Sequence, residues 1–362
     1  MMLDKATGQV FDAYGVRWFA DWLRDSYATR EATSPRLETV RRFRVENPIL
    51  VDCLDALYGH SLLKLLNVQY YLDHCPEFQV IALVPRFLAW MVPAGVAEVW
   101  IVDIGLREGA LWSDGLAEAI RREIERYPTC YLSRAFSHPL PSDVSIQRFT
   151  GVEPFEYDSW AESVKQPSVT FIWRDDRLWH EPASVLVKIL RRAFPGPLRK
   201  WLRSRQERNV IQLFKQLRDT IPLVDLAVVG LSTPGGFPEW ITDLRVRRVT
   251  EETERSWCRR YAGSHAVVGV HGSNMLLPSA HAATVVDIMP QDRWGNLAQD
   301  VLFRDQDERL SALTHRFLPA STSSSGVASV LHSLLEDFSE LRRSLDTQMN
   351  EHDPHGSQTC AS

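Results

Sequence analysis

Short, nearly uninterrupted apolar runs alternate with helix-forming segments along most of this chain, and that alternation restricts the fold more than any other feature. Phe78–Val84 (FQVIALV), Ala97–Asp103 (AEVWIVD), Ser168–Trp173 (SVTFIW), Leu223–Gly230 (LVDLAVVG), His265–Val270 (HAVVGV) and Ala283–Met289 (ATVVDIM) are each short and apolar on both alternating faces. Runs of this kind are expected of parallel strands covered on both sides. Leu244–Thr250 (LRVRRVT) and Asp143–Phe149 read as further strands. Between them lie helical patterns. One carries Leu62, Leu63, Leu65, Leu66, Val68 and Tyr70 and starts just after Gly59-His60-Ser61. Another spans Trp112–Arg126, with Leu116, Ile120 and Ile124 on one face, and a short one spans Thr253–Tyr261. Strands alternating with helices predict an α/β fold with parallel sheets and helices on both faces. Two such series in tandem predict two Rossmann-like domains facing each other.

The boundary between the series is expected in Gly151–Pro167 (GVEPFEYDSWAESVKQP), which mixes Pro, Gly and acidic residues. This divides the chain into an N-terminal helical extension (1–35), a first Rossmann-like domain (36–160), a second (161–345) and a flexible tail (346–362). The extension carries Trp18, Phe19, Trp22 and Leu23 at helical spacing between Val16 and Tyr27. Val327–Leu345 reads as a long amphipathic helix, and the residues after it lack periodicity.

A length of 362 residues fits two domains. The formal charge of −5 lacks the basic excess of a dedicated nucleic-acid binder. Five scattered cysteines without a CxxC exclude a zinc ribbon or thioredoxin-like motif and fit a reducing compartment. The N-terminus has no apolar core of signal-peptide length, so a cytoplasmic location is expected. Tyr261–Val286 is free of Asp, Glu, Lys and Arg, but its histidines, Asn274 and Pro278 make it too polar to span lipid. It reads instead as two buried strands flanking a ligand loop.

In open α/β sheets ligands bind beyond the carboxyl ends of the strands. There the sequence places Arg174, Asp175, Asp176 and Arg177 after SVTFIW, a Ser232-Thr233-Pro234-Gly235-Gly236 turn after LVDLAVVG, and His271-Gly272-Ser273-Asn274 after HAVVGV. Two arginines, glycine turns, a histidine and hydroxyls suit an anionic ligand such as a nucleotide diphosphate. Gly272 lets backbone approach a ligand, and Ser273 or Asn274 is placed to cap a helix N-terminus, itself a phosphate site. The plainer alternative is a tight strand-to-helix turn with His271 in the core.

The stretch RRYAGSHAVVGVHGSNMLLPSAHAATVVDIMP resembles the C-terminal signature of the family 61 glycosyltransferases through Ala266, Val267, Val268, Gly269, His271, Gly272, Met275, Leu277, Pro278, Ala283, Val285, Val286, Asp287, Ile288 and Pro290. The family's Ala-Gly is Ser273-Asn274 here, its glutamate is Asp287, and the segment between the two halves is shorter. His60, within Gly59–Leu66, matches the histidine of the family's N-terminal segment, without that segment's Trp and Pro-Arg. The resemblance implies a GT-B architecture, two Rossmann-like domains facing across a cleft. It implies an inverting, metal-independent transferase with no cofactor. The donor would be a nucleotide sugar, bound by Arg174, Arg177, His271, Gly272, Ser273, Asn274 and Asp287, and the acceptor a glycan or a lipid-linked hydroxyl. The acceptor-side domain would supply the catalytic base, for which His60 and Asp103 are the candidates. A pyruvyl- or other group-transferase on the same scaffold and a non-catalytic nucleotide- or sugar-binding relative are the alternatives.

Other features carry less. Asp305-Gln306-Asp307 matches the Asp-x-Asp of metal-dependent transferases but lies in a charged stretch and reads as a solvated loop. The basic segment Leu186–Arg218 is broken at Pro195-Gly196-Pro197 and reads as a solvated helical face. Its sharper alternative is a patch for peripheral contact with an anionic membrane or a lipid-diphosphate acceptor. Of twelve tryptophans, only Trp173 and Trp294 sit where a ligand is expected. His74, His138 and His315 lack ligand-like spacing, and HExxH, GxSxG, Walker and GxGxxG motifs are absent.

Overall fold

The computed structural model describes residues 2–11, 17–30, 35–106, 108–133, 144–179, 195–297, 299, 301–302 and 308–351. Asp305-Gln306-Asp307, His138, residues 186–194 of the basic segment and residues 352–362 lie outside them. The chain divides into two compact units, Met1–Leu140 and Pro141–Ser362. The division precedes the expected boundary because the supposed linker is not one. Phe155 and Trp160 are buried in the hydrophobic core of the second unit.

The first unit opens with a two-stranded antiparallel ribbon, β1 (Met2–Leu3) and β2 (Val10–Phe11), and the helix Arg17–Ala28. Ser26 and Arg30 tie this extension to the unit by bonds to Trp112 N (2.7 Å) and the Asp114 carboxylate (2.9 Å). The main sheet contains β3 (Leu37–Arg41), β4 (Pro48–Asp52), β5 (Gln79–Pro85), β6 (Glu98–Val102) and β7 (Tyr131–Leu132), in the order β3-β6-β5-β4-β7. Only β3 is antiparallel. The helix Tyr58–His74 follows β4 and buries Leu62, Leu63, Leu65, Leu66 and Val68.

The second unit holds β8 (Ser168–Trp173), β9 (Asp225–Leu231), β10 (Thr242–Val246), β11 (Ala266–Val270), β12 (Thr284–Met289) and β13 (His315–Pro319). Their order is β10-β9-β8-β11-β12-β13, every pair parallel. Numbered from β8, that is 3-2-1-4-5-6, the doubly wound Rossmann order. Val169 and Phe171 of β8, Val228 of β9, Val268 of β11 and Val286 of β12 share one core with Leu213 and Phe214 of the helix Pro195–Thr220. Leu331, Leu335 and Phe338 of the helix Ser324–Glu351 complete it. The helix Glu251–Ala262 before β11 is capped by Thr250, whose side chain accepts from Thr253 N. Glu251, Glu252 and Glu254 sit at its positive end and Arg259 and Arg260 at its negative end.

Several expectations are corrected. Ile146–Thr150, read as a strand, is a short helix, because Phe149 and Ile146 bury one helical face. At the expected break the helix Pro195–Thr220 begins, with Pro195 in its first turn, where its missing N–H is unneeded; the residues before it lie outside the described ones. The last helix continues to Glu351, past the expected start of the tail at 346. Strands β1, β2, β3, β4, β7 and β13 fall outside the runs that the sequence pattern predicts.

His265 gives the second unit a pH dependence. It is 3% exposed, accepts from Ser168 N at Nδ1 (3.1 Å) and lies edge-on to Phe155 and Trp160. Burial pushes its pKa down to about 4. Between pH 6.5 and that value the unfolded chain binds a proton that the folded one does not. The stabilisation is therefore complete above pH 6.5 and falls as pH drops toward 4, by roughly 3 kcal/mol. Urea midpoints should decline between pH 7.5 and pH 4.5, and a His265→Asn variant should show a flatter decline. An unchanged slope in the variant would assign the effect elsewhere.

Candidate functional site

In the second unit the chain leaves β8 toward one edge of the sheet and leaves β11 toward the other, so a crevice opens beyond their adjacent carboxyl ends. The two loops that flank it are residues 174–177 and 271–274, the segments singled out in the sequence. The structure joins them. Arg174 Nη1 donates to Asn274 Oδ1 at 2.8 Å, and Arg177 Nη1 donates to the carbonyl of His271.

Both guanidiniums lie against the backbone of Gly272. A Cβ there would sit 2.2 Å from Arg174 Nη1 and 2.6 Å from Arg177 Nη1, and φ is +149°. Only glycine fits this approach and this backbone without strain. Asn274 Nδ2 is buried and has no hydrogen-bond partner among the described residues. A buried donor without an acceptor is costly, and a ligand oxygen would satisfy it. Arg174 is also held by both oxygens of Asp176, at 2.9 and 2.7 Å. Its hydrogen bond draws the Asp176 carboxyl below the usual carboxylate range.

His271 and Asp287, expected as ligand contacts, turn inward. They are 0% and 1% exposed. His271 Nδ1 lies 3.1 Å from Asp287 Oδ2, and Nε2 lies 3.2 Å from the carbonyl of Asn296. The ring thereby fastens the turn to β12 and to the 3₁₀ segment Gln291–Asn296 that follows it. What His271 presents outward is its carbonyl. The expected helix N-terminus is also altered. Ser273–Met275 is a 3₁₀ turn leading into Leu276–His281, and neither start has a side-chain cap. Six residues align few peptide dipoles, so positive charge in the crevice comes from the arginines.

Trp173 is corrected too. It is 1% exposed, its Nε1 donates to Asp175 (2.8 Å), and Arg245 stacks over its ring at 4.7 Å. It supports the loop and is closed to a ligand. Trp294 is 42% exposed. Beside it stands Arg293, whose Nε is buried without a hydrogen-bond partner among the described residues. Arg203, read as part of a solvated face, reaches inward to Asp175 (3.3 Å) and Ser232 (2.7 Å), while Lys200, Arg208 and Lys215 of the same helix are exposed. The buried Arg245 is held by Asp243 at 2.8 Å and lies between Trp173 and Phe237, fixing the base of the Gly235-Gly236 turn.

In the first unit the switch of connection falls between β4 and β7. His60 stands in the first turn of the helix after β4, with Nδ1 3.4 Å from Asp55 Oδ1. Asp103 follows β6. Its carboxylate is exposed and paired with Arg86 (3.2 Å), which also holds Glu38 (3.0 Å). The two candidate bases therefore occupy separate side-chain clusters. Among the described residues, no group of three or more His, Cys, Asp or Glu is arranged to hold a metal ion, and no helix is long and apolar enough to cross a membrane.

No family model and no curated protein matches the sequence. Among solved structures, E. coli heptosyltransferase WaaC with ADP is similar at 12% sequence identity and a TM-score of 0.43, over 79% of this chain and 99% of that one.

Proposed function

We propose that this chain is a glycosyltransferase of the family 61 kind, transferring a sugar with inversion and without a metal from a nucleotide sugar to a hydroxyl of a glycan or lipid-linked acceptor. The observation that carries the reading is the switch-point crevice of the second unit. There Arg174, Arg177 and the buried donor of Asn274 converge on a glycine backbone with no room for a side chain. When the bond between sugar and diphosphate breaks, negative charge grows on the leaving phosphate. Fixed guanidiniums and amide donors in a partly buried crevice stabilise that charge more than they stabilise the ground state. The His271–Asp287 pair keeps the turn in place while this happens. The first unit contributes the proton acceptor, His60. The exposed basic residues of the Pro195–Thr220 helix are available to a lipid-linked acceptor, and the working compartment is the cytoplasm or the face of a membrane toward it.

Thermal shift and calorimetry with UDP, GDP, CMP and ADP test the donor site. Arg177 is the residue to test, because its Nη1 is held on the carbonyl of His271 in the turn itself. Arg177→Ala should weaken the bound nucleoside diphosphate by about 1.5–3 kcal/mol, roughly 10- to 150-fold, and leave the corresponding nucleoside within about 2-fold. Equal losses for both ligands would count against a diphosphate on this arginine. A nucleotide that binds but whose sugar is neither hydrolysed nor transferred would favour the non-catalytic alternative. Turnover retained in EDTA is the expected result for metal independence.

A further inference from the structure

The loop after β4 places three charged or titratable side chains together that the sequence did not single out as a group. Asp55 Oδ1 accepts from Leu57 N at 3.1 Å and lies 3.4 Å from His60 Nδ1; its Oδ2 lies 2.9 Å from Lys64 Nζ. Lys64 Nζ also donates to the carbonyl of Leu54 at 2.9 Å. His60 and Lys64 are four residues apart on one helix, so both reach the same carboxylate from the same face.

The carboxylate itself is rigidly placed. A Cβ on Gly109 would sit 2.3 Å from the Asp55 carbonyl, so the loop after β6 presses directly on the Asp55 backbone. Burial alone would raise the Asp55 carboxyl, but hydrogen bonds from His60 and Lys64 and the Lys64 charge outweigh it and hold the pKa down to about 2. Asp55 is thus ionised, and acceptor-only, at any working pH. Asp52, at the end of β4, adds a second carboxyl to the neighbourhood and interacts with both Asp55 and Lys64.

We propose that Asp55 is a positioning residue for His60. It takes the hydrogen of Nδ1, so the neutral ring is held as the Nδ1–H tautomer with its lone pair on Nε2. Lys64 is the anchor that keeps the carboxylate turned toward the ring. This rests on the transferase reading in one respect, the use to which Nε2 is put. In that use the acceptor oxygen forms its bond to the anomeric carbon and its proton passes to Nε2. The bond between that carbon and the diphosphate breaks, and its electron pair leaves with the phosphate. The imidazolium formed then lies beside a carboxylate that is already ionised, and no group has to reorient at that moment.

The test needs no substrate. The full-length protein is labelled with ¹⁵N,¹³C-histidine, and the ring nitrogen pattern of His60 is read by NMR at pH 8. The His60→Gln spectrum identifies the signal among the eleven histidines. The expected wild-type pattern is Nδ1–H. Asp55→Ala should lose that pattern in favour of Nε2–H or a mixture, whereas Asp103→Ala should keep it. If Asp55→Ala fails to fold, Lys64→Met serves, since freeing the carboxylate should broaden or mix the His60 pattern with the backbone intact. A wild-type ring carrying its hydrogen on Nε2 would overturn the proposal, and so would a pattern unchanged in both variants. Neither result would alter the nucleotide-binding outcome at Arg177, which is measured on the other unit. Absence of nucleotide binding would in turn leave the tautomer result standing.

Discussion

Gly272→Trp should abolish detectable binding of UDP and GDP while the protein still unfolds in a cooperative transition. The reason is steric before it is chemical. The first side-chain atom at this position would already overlap the ends of Arg174 and Arg177, at 2.2 and 2.6 Å. Guanidinium ends are flexible and would move aside, so the overlap costs site geometry more than it costs the fold. Displacing both removes two charge-assisted contacts to the diphosphate, each worth about 1.5–3 kcal/mol, or together roughly 10²- to 10⁴-fold in affinity. The backbone strain of a non-glycine residue at φ +149° adds about 1–3 kcal/mol to the cost of folding. That lowers the melting temperature by roughly 2–12 °C for a unit of this size without unfolding it. Gly272→Ala should behave alike with a smaller loss, since its Cβ meets the same atoms. The measurement is calorimetric titration alongside a melting curve. Wild-type affinity in a folded Gly272→Trp protein would move the donor site away from this turn.

The central strands of the second unit were legible because parallel strands buried on both faces leave a plain apolar mark. SVTFIW is β8 residue for residue, and ATVVDIM begins one residue before β12. The strands that went unread fail that criterion for physical reasons. β3 (LETVR) is an antiparallel edge strand, half-exposed, and tolerates Glu38 and Arg41. β13 (HRFLP) is the other kind of edge, with one neighbour, and its half-buried residues include Arg316. β4 (PILVD) is central, yet three apolar residues after a proline are too few to show a period.

The site divides the same way. That Arg174, Arg177 and the Gly272 turn would meet followed from one rule about strand ends, and the strand order puts both loops at the switch point. Side-chain direction was not legible. A histidine just past a strand reads the same whether its ring faces a ligand or, like His271, faces a buried aspartate. Trp173 beside two arginines looked like a ligand platform, but its own strand buries it and Arg245 covers its face. Asp55 and Lys64 carried no signal at all. Their meeting depends on the bend between β4 and the following helix, and on a glycine fifty-four residues away pressing on that bend.

His60→Ala should lower transfer to the acceptor by about 100-fold or more, with nucleoside diphosphate affinity unchanged. An attacking hydroxyl is a weak nucleophile until its proton is taken, and an imidazole is the side chain best suited to take it near neutral pH. Affinity should survive because every proposed contact to the diphosphate lies in the second unit and His60 lies in the first. The loss should therefore appear in kcat and not in the KM for the donor. Asp103→Asn should stay within a few-fold of wild type. Its carboxylate is held by Arg86, which is itself braced by Glu38, and would have to leave that pair to reach an acceptor hydroxyl. The informative comparison is of both variants with one donor and one acceptor. Near-normal turnover in His60→Ala together with a large loss in Asp103→Asn would transfer the role to Asp103, and would then require the Arg86 ion pair to open during the reaction.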